Sequence, residues 1–307
     1  MTTRSRRSLG DRVFAGSARG AGILILAILA GVTLFLIVEA WPAFTAPAEE
    51  IPGGEGIVAY IAPLLFGTLL VSVIALLVAT PLGVAIALFI THYAPRRLAQ
   101  GLGYLVDLLA AIPSIVYGFW GLTWLAPALV PFYVWLEEYL GFIPLFAGPA
   151  SATGRTMLTI GLVLAIMILP IISAIAREVF RQVPTLHQEA ALALGATRWE
   201  MIRMSVLPYG RSGVTGAAML GLGRALGETM AVAIILSVSG GFTFNLISRE
   251  NPGTIAANIA LDFPESTGLA VNALIASGLV LFVITFAVNL LARWIVSRRA
   301  EFSGADS

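Results

Sequence analysis

Arg224 and Glu228 stand four residues apart in Gly223-Arg224-Ala225-Leu226-Gly227-Glu228-Thr229, inside a run over 213–238 that is otherwise almost wholly apolar. A charge near the middle of a membrane-length segment costs roughly 2.5–3.5 kcal/mol on insertion scales, so such residues face a protein interior or a wet pathway and mark functional sites. On a continuous helix, residues four apart share a face, and the spacing predicts that Arg224 and Glu228 reach each other or the same ligand. Glycines at 221, 223 and 227 thin that face for a substrate or a neighbouring helix. Thr229 offers a hydroxyl beside the pair, or bonds its own helix backbone. The pair is where this chain is expected to touch its substrate.

The elements that position these residues follow from composition. With 58% hydrophobic residues, 11% charged residues and a mean hydropathy of +0.93, the chain is far more apolar than a soluble domain, in which about a quarter of residues are charged. It is expected to be an all-α integral membrane protein, because in hydrocarbon every backbone group must be satisfied within its own segment. Six apolar runs, at about 21–41, 63–90, 104–130, 156–176, 213–238 and 269–294, are long enough to span. The first follows five arginines but is longer than the apolar core of a secretory signal, and reads as a retained helix. No cysteine and only two isolated histidines are present, so no metal site is expected.

Every one of the 18 basic residues is arginine. Fifteen fall before the first run, after the second, between the fourth and fifth, and after the last; the opposite loops hold Arg155 and Arg249 among eight carboxylates. The positive-inside rule then places both termini in the cytoplasm, with six crossings. Trp41, Trp135 and Trp294 stand near run ends as interface anchors do.

The chain divides into a basic cytoplasmic segment (1–20), the first spanning helix with its outer loop (21–62), a core of five spanning helices (63–294) that contains a cytoplasmic loop (177–211), and a cytoplasmic tail (295–307). Residues 8–19 read either as a short helix on anionic lipid or as a disordered basic tail. The outer segment 131–147, with six aromatics, reads as a docking surface or lid, or as an interfacial belt. Pro81, Pro113 and Pro170 are candidate kinks along a pathway. Asp107 reads as a solvated or capping carboxylate.

The 177–211 loop carries structure of its own. Thr185 can cap a helix running through the alanines to Leu194, Gly195 supplies the left-handed residue that ends it, and a second short helix from Thr197 to Val206 is closed by Pro208. At the positions Glu189-Ala190-Ala191, Gly195 and Leu207-Pro208, this loop resembles the signature of ABC importer permeases: Glu-Ala-Ala, three residues, Gly, nine residues, then Ile-x-Leu-Pro. Ser205 replaces the isoleucine. Gly223 to Val232, together with Ala111 to Gly118, is similar to the phosphate-specific branch of that family, and Glu228-Thr229-Met230-Ala231-Val232 is similar to its PstC type rather than PstA.

The resemblance implies a type I, MetI-like fold in a bacterial plasma (inner) membrane, with Glu189, Ala190, Ala191, Gly195, Leu207 and Pro208 forming the joint that inserts into a cytoplasmic ATPase. It implies a second, PstA-like permease, a PstB-like ATPase dimer and an extracytoplasmic PstS-like phosphate-binding protein, besides membrane lipid; no nucleic acid is expected. The chain lacks lysine and a Gly-rich phosphate loop, so ATP and magnesium belong to the partner ATPase, and no cofactor and no enzymatic activity are expected here. Phosphate is an oxyanion, and a guanidinium offers a planar fork of donors that replaces part of its water shell. Arg224 is then expected to contact phosphate in transit, with Glu228 offsetting the arginine when the route is empty, or else the two form an ion pair locking subunits together. The same architecture serves another oxyanion, sulfate or molybdate, equally well. A proton-coupled secondary transporter using Glu228 is the more distant reading.

Overall fold

The computed structural model describes residues 9–303, and apart from an isolated antiparallel bridge between Ala150 and Ser248 its regular elements are helices. α1 (Leu9–Thr45) is one unbroken helix, so described residues of the basic segment run straight into the first apolar stretch instead of forming a separate surface helix or a tail. Residues 1–8 lie outside the described part. Ile23, Leu24, Ile25, Leu26 and Phe35 all project outward, as the lipid-facing side of a spanning helix does. Only the outer end of α1 packs, with Ala40 and Ala43 against Ile51, Ile61, Ala273 and Ala276.

The core forms between α2 (Ile57–Leu88) and α6 (Met157–Arg181). Lipid gives apolar helices no hydrophobic reason to associate, so close packing of small residues does the work. Gly161 of α6 lies so near α2 that a β-carbon there would come within 2.4 Å of Ile74 Cγ2, and one at Gly83 of α2 would come within 3.0 Å of Ile172. Ile160, Leu164, Ile168 and Ile172 are fully buried along this seam.

The predicted third run starts later than expected. Tyr104 to Ala110 belong to α3 (Arg96–Ala110), an amphipathic helix that turns Gly103 and Val106 inward and Leu98, Leu105 and Leu108 outward. Pro113 disfavours helix at the residue before it, and the spanning segment begins only at α4 (Ser114–Trp120), continuing through α5 (Ala126–Leu140). Much of the aromatic segment 131–147 is therefore helix. Phe132 and Trp135 stack with centroids 6.0 Å apart, and Tyr133 is buried with its hydroxyl 2.7 Å from Thr159.

α7 (Thr185–Ala193) follows α6, and α8 (Arg198–Met201) passes through a π-helical turn, Ile202–Val206, directly into α9 (Leu207–Leu226). Pro208 thus sits inside a continuing helix and does not close one, contrary to expectation. A proline ring clashes with the carbonyl four residues back, and widening the preceding turn relieves that clash. The same solution recurs at Gly121–Leu125, a π turn that ends two residues before Pro127 inside the continuing helix; the π turn at Phe89–Tyr93 instead closes its helix before the extended Pro95.

Among the described residues, five helices are long and apolar enough to cross a membrane. The predicted fifth run, 213–238, is not one helix: α9 ends at Leu226 and α10 (Met230–Ile235) begins after a three-residue break. An extended stretch then leads to α11 (Ile255–Asp262) and α12 (Leu269–Ser303). Asn251, wholly buried, organises that stretch, its amide nitrogen donating to the carbonyls of Arg155, Ser237 and Arg249 at 3.0–3.1 Å while its oxygen accepts the Met157 N–H. In the membrane, irregular backbone is tolerated only where protein or a water-filled cavity satisfies it.

Candidate functional site

The break at Gly227-Glu228-Thr229 is built by the side chains that the sequence singles out. Glu228 is only 8% exposed, and its Oε1 accepts the Ala231 N–H at 3.1 Å. The carboxylate thereby satisfies a first-turn N–H of α10 that has no partner within the helix, at the end where a negative charge is favoured. Thr229 turns its hydroxyl onto the Gly227 carbonyl at 3.2 Å, the backbone bond named above as one of its two options. On the far side, α10 ends with its Ile235 carbonyl accepting Arg155 Nε at 2.9 Å, a cation placed where a helix C-terminus favours one.

The expectation that Arg224 and Glu228 share a helical face does not hold. The helix carrying Arg224 stops two residues before Glu228, so 3.6-residue periodicity no longer relates them, and Glu228 turns inward while Arg224 is exposed. The ion pair found among the described residues lies elsewhere, between Arg177 Nη2 and Asp107 Oδ1 at 2.9 Å. Asp107, expected as a solvated or capping carboxylate, is half exposed and also ion-paired to Arg177. Arg224 stands within electrostatic range of the Tyr117 phenol on α4. Gly118, next to Tyr117, has no β-carbon to hold α4 off α10; one placed there would lie 3.1 Å from Ala231 Cα.

Chemically, this leaves an exposed guanidinium with no carboxylate partner among the described residues, beside a buried carboxylate that shapes the break. An exposed fork of donors at membrane depth must be met by an anion, by water, or by another subunit. Sequence reasoning missed Tyr117, Arg155 and Asn251, since each has partners far along the chain: Arg155 bonds Ile235 80 positions away, Asn251 bonds Arg155 96 positions away, and Tyr117 lies in electrostatic range of Arg224.

The second candidate element is the α7–α8 joint. Pro184, not Thr185, occupies the N-cap of α7, and Thr185 makes no capping bond. Gly195 adopts φ +87°, and the Gly195 and Ala196 N–H groups donate to the Leu192 and Ala191 carbonyls at 3.0 and 3.2 Å. That is the double bond of a Schellman termination. The side-chain cap belongs to α8, where Thr197 Oγ1 accepts the Glu200 N–H and Glu200 Oε2 accepts the Thr197 N–H at 2.7 Å. Donation by the Thr197 backbone holds the Glu200 carboxyl below the usual carboxylate range. Its Thr-x-x-Glu spacing was legible in the sequence.

Ser205, at the position where the signature has isoleucine, donates to the His187 carbonyl at 3.3 Å and ties α7 back to the long helix by a hydrogen bond. Ala191 is half-buried against the cluster of Phe180, Val183, Met201, Ile202 and Val206. Glu189 and Ala190 are exposed, Leu207 is half-buried, and Pro208 is exposed. Leu186, Leu194 and Trp199 project from the joint without cover, Leu194 at 90% exposure.

A family profile described as "binding-protein-dependent transport system inner membrane component" matches residues 79–301. The phosphate transport system permease protein PstC 2 of Mycobacterium tuberculosis is 47% identical over 304 residues, covering 95% of this chain and 93% of that one. PstC of Mycobacterium leprae is 44% identical over 95% and 94% of the two chains, and PstC of Pasteurella multocida 38% over 99% and 97%. Among solved structures, a chain of a bacterial alginate ABC transporter in complex with its alginate-bound periplasmic protein superposes with a TM-score of 0.63 at 17% identity. That superposition covers 94% of this chain and 95% of the other and supports the fold alone.

Proposed function

Since the chain belongs to the binding-protein-dependent transport system inner membrane component family, we propose that it is the membrane-spanning permease of an ATP-driven importer that moves inorganic phosphate into the cytoplasm. The observation that carries the substrate is the near-complete match, at 47% identity, to a protein named as a phosphate transport permease. The exposed Arg224 beside the helix break is the group suited to that substrate, because a guanidinium binds tetrahedral oxyanions through paired donors. Glu228 supports it by fixing the break rather than by pairing with it, and Thr229 is committed to backbone. Binding at such a point must stay weak, since a conducting site has to be left as readily as it is entered.

The uncovered leucines and Trp199 of the α7–α8 joint support docking on a cytoplasmic ATPase, which supplies ATP and magnesium; hydrolysis takes place there and not on this chain. A second permease, an ATPase dimer and an extracytoplasmic phosphate-binding protein complete the assembly in the bacterial inner membrane, with both termini of this chain in the cytoplasm. A proton-coupled carrier has no use for such a joint.

The test is phosphate uptake and ATP hydrolysis by the assembled complex in proteoliposomes with the binding protein supplied. Arg224→Gln is expected to cut uptake at least about tenfold while leaving complex assembly intact, the loss of a charged hydrogen bond to substrate being worth roughly 1.5–3 kcal/mol. Uptake that falls only as assembly falls makes Arg224 an interface residue. Uptake of wild-type complex competed by sulfate or molybdate as well as by phosphate overturns the substrate.

A further inference from the structure

The charged break and the ATPase joint lie on different elements, and a contact connects them that the transport reading does not use. α6 leads into α7 through only three residues, 182–184, so displacement of the joint is passed to the cytoplasmic end of α6. One turn before that end, Arg177 reaches α3. Its Nη2 meets Asp107 Oδ1 at 2.9 Å, with the arginine side chain 12% exposed and the aspartate 52%. The guanidinium lies directly over the α3 backbone, for a β-carbon at Gly103 would stand 2.6 Å from Arg177 Nη1. Gly103 makes room for the arginine.

From α3 the connection continues across the Ala111-Ile112-Pro113 break. The Tyr117 hydroxyl on α4 donates to the Leu109 carbonyl of α3 at 2.9 Å, clamping the two helices over a hinge at which backbone bonding is interrupted. α4 in turn presses on α10 through Gly118 and Ala231, and Ala231 is the residue whose N–H Glu228 caps. Tyr117 also lies within electrostatic range of Arg224.

We propose that Asp107, Arg177 and Tyr117 are positioning residues for transport. The Arg177–Asp107 ion pair and the Tyr117–Leu109 hydrogen bond make α3 a strut that sets α4 and the Arg224–Glu228 break according to the position of the ATPase joint. The inference rests on the importer reading above. α6 packs directly on α9, which carries the Arg224 side of the break, and also touches α10 and α4; the strut adds a second connection to α10, one that starts from the end of α6 nearest the joint. A difference in position between the two halves is what opens or closes a gap at Gly227. A route of contacts is not in itself coupling, and the demonstration required is an energetic one.

The experiment uses the full complex with binding protein in proteoliposomes and reads phosphate taken up per ATP hydrolysed. Wild-type complex must first show binding-protein-stimulated hydrolysis and phosphate uptake; failure there removes the importer reading itself, not the strut. Given that, Asp107→Asn and Arg177→Gln are each expected to lower uptake per ATP by about fivefold or more, the low end of the coupling between linked sites. The swapped pair Asp107→Arg with Arg177→Asp is expected to regain most of the ratio, which a merely local folding role would not require. Tyr117→Phe is expected to lower the ratio likewise, and the Asp107→Asn/Tyr117→Phe double variant to be no worse than either alone, because two links in series fail as one. An unchanged uptake per ATP in Asp107→Asn overturns the proposal, as do additive losses in the double variant.

Discussion

Glu228 shows how one residue can satisfy a sequence argument for a reason other than the one given. Its cost within an apolar run marks it as a candidate functional residue, but its carboxylate goes to the Ala231 N–H, and the pairing partner inferred from spacing is out of register. A buried donor left without an acceptor costs about 1–3 kcal/mol. Glu228→Ala is therefore expected to destabilise the solubilised protein by about that amount, while Glu228→Gln, whose amide oxygen still accepts, keeps the wild-type unfolding midpoint. Denaturation of the two variants side by side decides it, and equal destabilisation would show that charge, not capping, holds the break. Ser205 gives a second instance: its departure from the signature residue suggests a lost packing contact, and the structure supplies a hydrogen bond to His187 in its place.

Among the elements, the helices most legible in the sequence are the long apolar ones, and the least legible are those interrupted. The breaks at Pro113 and at Gly227 fall inside the apolar runs 104–130 and 213–238, and run length alone does not mark them. The π turns before Pro127 and Pro208 are written in the sequence only as prolines, whose effect depends on whether the preceding turn can widen. The α2–α6 seam lends itself to a direct test. Gly161→Ala places a methyl 2.4 Å from Ile74 Cγ2, and overpacking of this kind costs about 1–3 kcal/mol. The expected result is a lowered unfolding midpoint that Ile74→Ala partly restores when combined with it; additive destabilisation in the double variant would place the strain elsewhere.

Across the whole molecule, the uneven distribution of arginine gives an orientation that the helices themselves do not. The absence of cysteine makes it simple to check. A single thiol at Thr267, exposed between α11 and α12, is expected to react with a membrane-impermeant maleimide in intact cells, and a thiol at Gln100, exposed on α3, only after permeabilisation. The reverse pattern would invert the topology. What the sequence by itself determined is membrane residence, the helical class, the asymmetry of charge, the joint with its left-handed Gly195, and the two charged residues worth attention. All of these depend on composition or on contacts within a few residues, where hydropathy, capping and glycine conformation act locally. The tertiary structure alone decided that Arg224 and Glu228 part company, that Asp107 meets Arg177 seventy positions away, and that Asn251 knits the outer stretch to α6. Those pairings are set by which helices pack together, and close approach at glycines such as Gly83, Gly103, Gly118 and Gly161 is a property of two surfaces at once.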